Sequence, residues 1–201
     1  LEGELGVGRK SLYDTFGNKR ALYLASLEHY GDSVIAAICE GLERPGASAF
    51  ANLERMLGKL ARHHGSGESL GCLLGVGLAQ AQREDAEVVA ALRRGLARLE
   101  EAFERTLQRA LEAGELRPTV RPRDSARHLV AFVQGLALLG RIADSPAVLR
   151  GAVSTALDLG QSVPSEGILR LTHVTNTGSA FGMLQGQTAF LILASFIGIF
   201  G

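Results

Sequence analysis

Residues 6–30 read GVGRKSLYDTFGNKRALYLASLEHY. Within them, Arg9 to Phe16 carries Leu12 and Phe16 at i and i+4, one face of a short helix. Gly17-Asn18 interrupts that helix. Asn is a strong helix cap, so a second helix is predicted from Lys19 to about Cys39. If Leu12 and Phe16 turn inward, Arg9, Lys10, Ser11 and Asp14 point outward and Tyr13 lies off the core face. Arg and Lys read guanine edges in a major groove, Ser adapts to either base, and Tyr suits a phosphate contact. Lys19 stands at a helix N-terminus, where the dipole disfavours a cation. A phosphate there satisfies both the Lys and the free backbone N–H groups. Arg9, Lys10, Ser11, Tyr13 and Lys19 are therefore candidate DNA contacts. The competing reading is a solvated amphipathic helix pair with scattered charges.

Outward from this segment the pattern stays helical. Pro45-Gly46 reads as a turn, and Ala47 to His64 repeats apolar residues at Phe50, Leu53, Leu57 and Leu60. Gly65-Ser66-Gly67 is a loop, followed by an apolar, Gly-rich helix from Gly71 to about Gln82. The clearest period runs from Asp85 to Ala113: Val88, Val89, Leu92, Leu96, Leu99, Phe103, Leu107, Ala110 and Leu111 step by three and four, and Gly114 is the expected stop. A helix from Arg123 to about Gly140 carries Leu129, Val130, Val133 and Leu136, and a last one opens at Ser145-Pro146 and reaches about Leu159.

Composition agrees with helices. Apolar residues make up 46% of the 201 and aromatics 5%, with no Trp. Formal net charge is zero, so any nucleic-acid argument has to rest on local placement. Cys39 and Cys72 are not a CxxC pair and read as reduced thiols of a cytoplasmic protein. Leu1 to Lys10 has no apolar signal-peptide region and no initiating Met, so the start reads as internal. His63, His64, Glu68 and Cys72 match no zinc spacing, and they read as surface histidines and a buried thiol. Arg83-Glu84-Asp85 and Arg93-Arg94 read as a solvated face. No phosphate loop, GxSxG or HExxH motif occurs. The expectation is therefore no cofactor, no metal and no catalytic residue.

Gly6, Val7, Leu12, Tyr13, Phe16, Lys19 and Leu22 resemble the end of the helix-turn-helix of TetR-type transcriptional regulators. Gly71-Cys72-Leu73-Leu74 and Glu112-Ala113-Gly114-Glu115-Leu116 look like phrases from the same family's helical domain. The resemblance implies an all-α fold: a helix-turn-helix remnant over 1–40 and a helical ligand-binding and dimerisation domain over 41–160. It implies a repressor that binds palindromic operator DNA as a dimer and answers to an unknown small-molecule effector. The dimerising helices would lie in 123–159, where Ala126, Gly135, Ala137, Ala152 and Ala156 permit close approach. Against the family pattern, only Leu1 to Leu5 stand before the turn, which predicts weak or lost operator binding by this chain. A helical dimer that binds no DNA is the alternative.

The last forty residues are different. After Arg170 there is no Asp, Glu, Lys or Arg. Ile168 to Gly182 reads ILRLTHVTNTGSAFG and resembles signal peptidase II, the membrane aspartyl protease of lipoprotein signal peptides. That likeness implies substrate contacts by Asn176, Gly178 and Phe181, in an extended and loop segment from 161 onward. It also implies a partial transmembrane helix with membrane contact over 188–201, from an inner-membrane protein. The catalytic aspartates of that family have no counterpart here, since no Asp follows Asp158, and the chain is expected not to be an enzyme. The join near Leu159-Gly160-Gln161-Ser162 reads as a cloning, assembly or gene-fusion junction, because no linker composition separates the parts.

Overall fold

The computed structural model describes residues 8–67, 69–143 and 145–161, apart from the side chains of 9 and 158–161. In chain order the helices are α1 (Arg9–Phe16), α2 (Lys19–Tyr30), α3 (Ala36–Leu42), α4 (Ala49–His64), α5 (Leu73–Gln80), α6 (Ala86–Glu112), α7 (Pro122–Leu139) and α8 (Pro146–Gln161). A π-helical turn, Gly31–Ile35, joins α2 to α3. The described residues contain no strand, in line with the all-α expectation.

α6 has 27 residues, about 40 Å of helix, and packs against α2, the π-turn, α3, α4, α5 and α7. Its expected stripe is inside: Val88, Leu92, Leu99, Phe103, Leu107 and Ala110 are buried, while Val89, Leu96 and Leu111 are half-buried. Gly95, Ala102 and Thr106 join them because small residues let neighbouring helices approach. Asp85 caps the start, its carboxylate accepting from the Val88 N–H at 3.2 Å. Gly114 ends the helix at φ +71°, a left-handed conformation that glycine adopts at little cost. There the Gly114 N–H donates to Leu111 O (3.0 Å) and the Glu115 N–H to Ala110 O (2.8 Å), the paired bonds of a Schellman stop. The Glu115 carboxylate then accepts from the Phe50 N–H at 2.8 Å, so the end of α6 satisfies a free donor in the first turn of α4.

Several expected boundaries move. α4 begins at Ala49 rather than Ala47 because Ser48 is its cap, accepting from the Ala51 N–H at 2.9 Å. α5 is confined to Leu73–Gln80, since Ala81 turns extended. Pro122 is itself the first residue of α7, where its missing N–H costs nothing. α8 continues to Gln161, past the expected end at Leu159 and into the expected junction. The single helix expected from Lys19 to Cys39 runs on to Leu42 and contains the π-turn. Its buried residues Leu27, Gly31 and Ile35 are four apart. In a pure α-helix two such steps drift by about 80°, and the wider turn brings the three back to one face.

The far end of α4 meets the turn between α7 and α8 in a tight joint. A methyl group at Gly140 would overlap the His64 carbonyl, and one at Gly65 would lie 2.6 Å from Pro146 Cα. His64 is consequently buried, a correction to the surface position expected for it. Its Nδ1 lies 2.8 Å from Ser69 Oγ, and His63 stacks edge-on at 5.0 Å. Burial, then the neighbouring His63, pushes the His64 pKa below its ordinary 6.5. The folded state therefore binds this proton less readily than the unfolded state, and stability rises with pH across the window between the two values. Unfolding free energy measured in urea is expected to fall as pH drops from 8 through the histidine range, roughly pH 6.5 and below, and to lose most of that slope in His64→Gln. An unchanged slope in His64→Gln would place the titration elsewhere.

Candidate nucleic-acid interface and pairing face

Eight residues form α1, and its principal packing partner is α2. Leu12 and Phe16 are its half-buried positions, while Lys10, Ser11, Asp14 and Thr15 are exposed and Tyr13 is 48% exposed. The backbone of Arg9 opens the helix, and its side chain lies outside the described residues. Gly8, at the N-cap of α1, makes no side-chain cap hydrogen bond. The Thr15 hydroxyl donates to Ser11 O at 2.9 Å.

The link to α2 is two residues long. Gly17 takes φ +77° and its N–H donates to Tyr13 O at 2.8 Å. Asn18 turns extended, and its Oδ1 accepts from the Ala21 N–H at 2.9 Å, as the sequence predicts. That cap takes one of the free donors at the N-terminus of α2, where Lys19 is exposed. Lys10, Ser11, Tyr13 and Lys19 are thus all presented to solvent on one two-helix head.

Sequence reasoning passed over Arg20. Its Nε and Nη2 donate to Asp85 Oδ2 (3.1 Å) and Oδ1 (2.8 Å), and Nη2 also meets Glu87 Oε2 at 2.6 Å. Hydrogen bonds to Asp85 and then Glu87 push the guanidinium pKa up, and the Arg20 guanidinium holds the Asp85 carboxyl below the usual carboxylate range. Asp85 was expected on a solvated face; it is a cap and an ion-pair partner instead. No local signal identifies this contact, because its partners are 65 residues apart.

Cys72 and Cys39 are free thiols. Buried Cys72 accepts a hydrogen bond from the Tyr30 hydroxyl at 3.5 Å, and burial holds that phenol protonated, its pKa pushed up. Among the described residues no three His, Cys, Asp or Glu side chains gather around a metal position. Glu68, Asn176, Gly178, Phe181 and 188–201 lie outside the described residues. Among the described residues no helix is long and apolar enough to cross a membrane.

On α7 and α8, two of the small residues expected to mediate pairing serve this chain's own core. Ala126 is 0% exposed and Ala137 1%. Gly135 has open space beside it, and Ala152 and Ala156 are half-buried. The outward stripe of α7 is His128, Ala131, Gly135 and Leu138, continuing to Ile142, which is 81% exposed. These steps of three and four are the spacing of a helix-pairing seam. On α8, Val148 is 64% exposed, with Gly151 and Thr155 on the same side.

A model of the tetracyclin repressor-like C-terminal domain matches residues 51–156. An uncharacterized helix-turn-helix-type transcriptional regulator of Bacillus subtilis, YezE, is 32% identical over 116 residues, which is 58% of this chain and 60% of that protein. The chain thus spans about three fifths of the length of that curated relative. Lipoprotein signal peptidase of Dehalococcoides mccartyi is 37% identical over 73 residues, 36% of this chain and 43% of that protein. Two solved structures share the fold. Reduced Escherichia coli NemR has a TM-score of 0.66 at 18% identity, covering 82% of this chain and 86% of that one. A cysteine mutant of the TetR family regulator CifR, complexed with double-stranded operator DNA, has a TM-score of 0.66 at 20% identity, covering 78% and 82%.

The head depends on its two-residue link. Asn18→Ala is expected to cost about 1 kcal/mol of stability, the usual loss of an N-cap, with Asn18→Asp close to neutral. Chemical denaturation of the three proteins checks this, and an unperturbed Asn18→Ala would remove the cap from the account.

Proposed function

The chain belongs to the tetracyclin repressor-like C-terminal domain family, and on that premise we propose that it is a dimeric transcriptional repressor that reads operator DNA through α1 and releases it on binding a small-molecule effector. The observation that carries this reading is the two-sidedness of α1: Leu12 and Phe16 covered, Lys10, Ser11 and Tyr13 exposed. Helix-turn-helix vocabulary in the name of the Bacillus relative, and operator DNA in the CifR complex, support it. Arg9, Lys10 and Ser11 are assigned to base edges in the major groove. Tyr13 and Lys19 are assigned to phosphates, Lys19 together with the N–H groups left free at the start of α2. Residues 1–40 act as the DNA-binding part and 41–160 as the effector and pairing part.

Pairing is assigned to residues 123–159. The outward stripe from Ala131 to Ile142 and the Val148 side of α8 are largely apolar or small surfaces that a second copy would cover, with His128 at the edge. A two-fold axis through them sets the two α1 helices against the two halves of a palindrome. The test is one binding series on the full-length protein, using a duplex selected from a random pool. Affinity should fall linearly in log–log plots against salt. Lys10→Ala should weaken binding about tenfold, within the ~1–3 kcal/mol of a base contact. Ile142→Asp should give monomers that no longer hold the palindrome, and an effector would be recognised as a compound that releases it. If no duplex is retained even at about 50 mM salt while Ile142→Asp still abolishes dimers, the protein is a helical dimer that does not bind DNA.

The match to lipoprotein signal peptidase, over 73 residues of this chain, supports a second reading, which we assign to residues 161–201. In it they are a segment of that protease family, with Asn176, Gly178 and Phe181 facing a substrate peptide and 188–201 in a membrane. A single long genomic read across the coding region decides it. One continuous frame through Leu159 to Ser162, with protease aspartates downstream, is expected for a fused regulator and protease. Separation of the two parts in the genome would sink that reading and leave 1–160 as the regulator.

A further inference from the structure

We propose that Arg20 is a positioning residue, held by a two-carboxylate clamp at the start of α6, that fixes the orientation in which α1 meets DNA; this rests on the assignment of α1 as the DNA-reading helix. Four observations converge. The Nε–Nη2 edge of Arg20 spans the two oxygens of Asp85 (3.1 and 2.8 Å), and Nη2 also meets Glu87 at 2.6 Å. A forked contact fixes direction as well as distance, which a single point charge does not. Asp85 is itself immobilised, because the same carboxylate caps α6 through the Val88 N–H. The clamp therefore ends on the most extensively packed helix of the body.

Position in the chain supplies the third observation. Arg20 follows Lys19 directly and lies two residues after the Asn18 cap, so it is the first side chain of α2 that reaches back to the body. The fourth is that the remaining ties are not directional. Among the described residues, Arg20 makes the only polar contact between residues 8–24 and the start of α6; Tyr23 and Leu24 pack against the core as partly buried side chains. Apolar packing is non-directional and leaves rotation about α2 weakly opposed. The forked pair opposes it. Further along, Arg98 meets Asp32 at 3.1 Å and Arg105 meets Glu43 at 2.7 Å, so ion pairs mark the same two helical paths at their start, middle and end. Signs are reversed at the head, with the cation on α2 and the carboxylates on α6, so a slide of one path along the other finds no equivalent pairing for Arg20.

The clamp is half-exposed, so its contribution to overall stability is small while its effect on orientation is not. The experiment compares the full-length wild type with Asp85→Asn/Glu87→Gln, in which Asn keeps the α6 cap and only the charges are removed. Amide hydrogen exchange and affinity for the selected duplex are the two readouts. Exchange over α1 and the first turn of α2 should speed up severalfold with no change in α4 or α7 and an unchanged thermal midpoint. Duplex affinity should fall roughly tenfold, a typical size for coupling between sites. Arg20→Glu should behave like the double variant, and adding Asp85→Asn and Glu87→Arg to it should restore both readouts by rebuilding one pair with the charges exchanged. Unchanged exchange in the double variant overturns the clamp. Faster exchange with unchanged affinity overturns the positioning role. A wild type that holds no duplex defeats the DNA assignment instead, and the exchange data then judge the clamp alone.

Discussion

The apolar stripe of α6, from Val88 to Ala110, is covered in relay by α2, the π-turn, α3, α4, α5 and α7. Near its start Leu92 lies where Gly77 of α5 leaves room, and Leu74 of α5 sits over Gly95. Midway Arg98 lies against Gly31 of the π-turn. Toward the end Thr106 and Arg109 donate to the Leu42 carbonyl (3.5 and 3.0 Å), closing the C-terminus of α3. Each contact fixes how far along α6 a neighbour sits. Shortening the stripe would therefore shift the head relative to α3 as well as cost buried area, at roughly 25 cal/mol per Å².

The same relay explains why the path from α2 to α3 is not a regular helix. Leu27 and Ile35 both have to face the body, yet their spacing drifts off one face in a regular α-helix. The π-turn resolves the conflict locally, and Gly31 at its start admits the Arg98 side chain, which pairs with Asp32 at 3.1 Å.

Polar groups finish the helices in two different ways. Asn18, Ser48 and Asp85 cap their own helices, each accepting an N–H three residues on. Glu115, Thr106 and Arg109 satisfy the ends of other helices. The first kind is written in adjacent residues. The second exists only once the helices are assembled, because 64 to 67 residues separate its partners.

That difference divides what was legible. The sequence by itself determined the helices and most of their limits, since periodicity, the Gly17-Asn18 break, Pro122 and Gly114 act through near-neighbour backbone geometry. It also determined which face of α1 is polar, because Leu12 and Phe16 leave only one side for Lys10, Ser11 and Tyr13. Tertiary structure alone decided the burial of His64, forced by Gly140 and Pro146 closing on the end of α4. It decided that Ala126 and Ala137 serve the chain's own core, leaving Gly135, Leu138 and Ile142 facing out. It also decided that Arg20 binds Asp85 and Glu87. None of these has a local cause: each depends on where a distant helix end arrives, and that is set by how the stripe of α6 is covered.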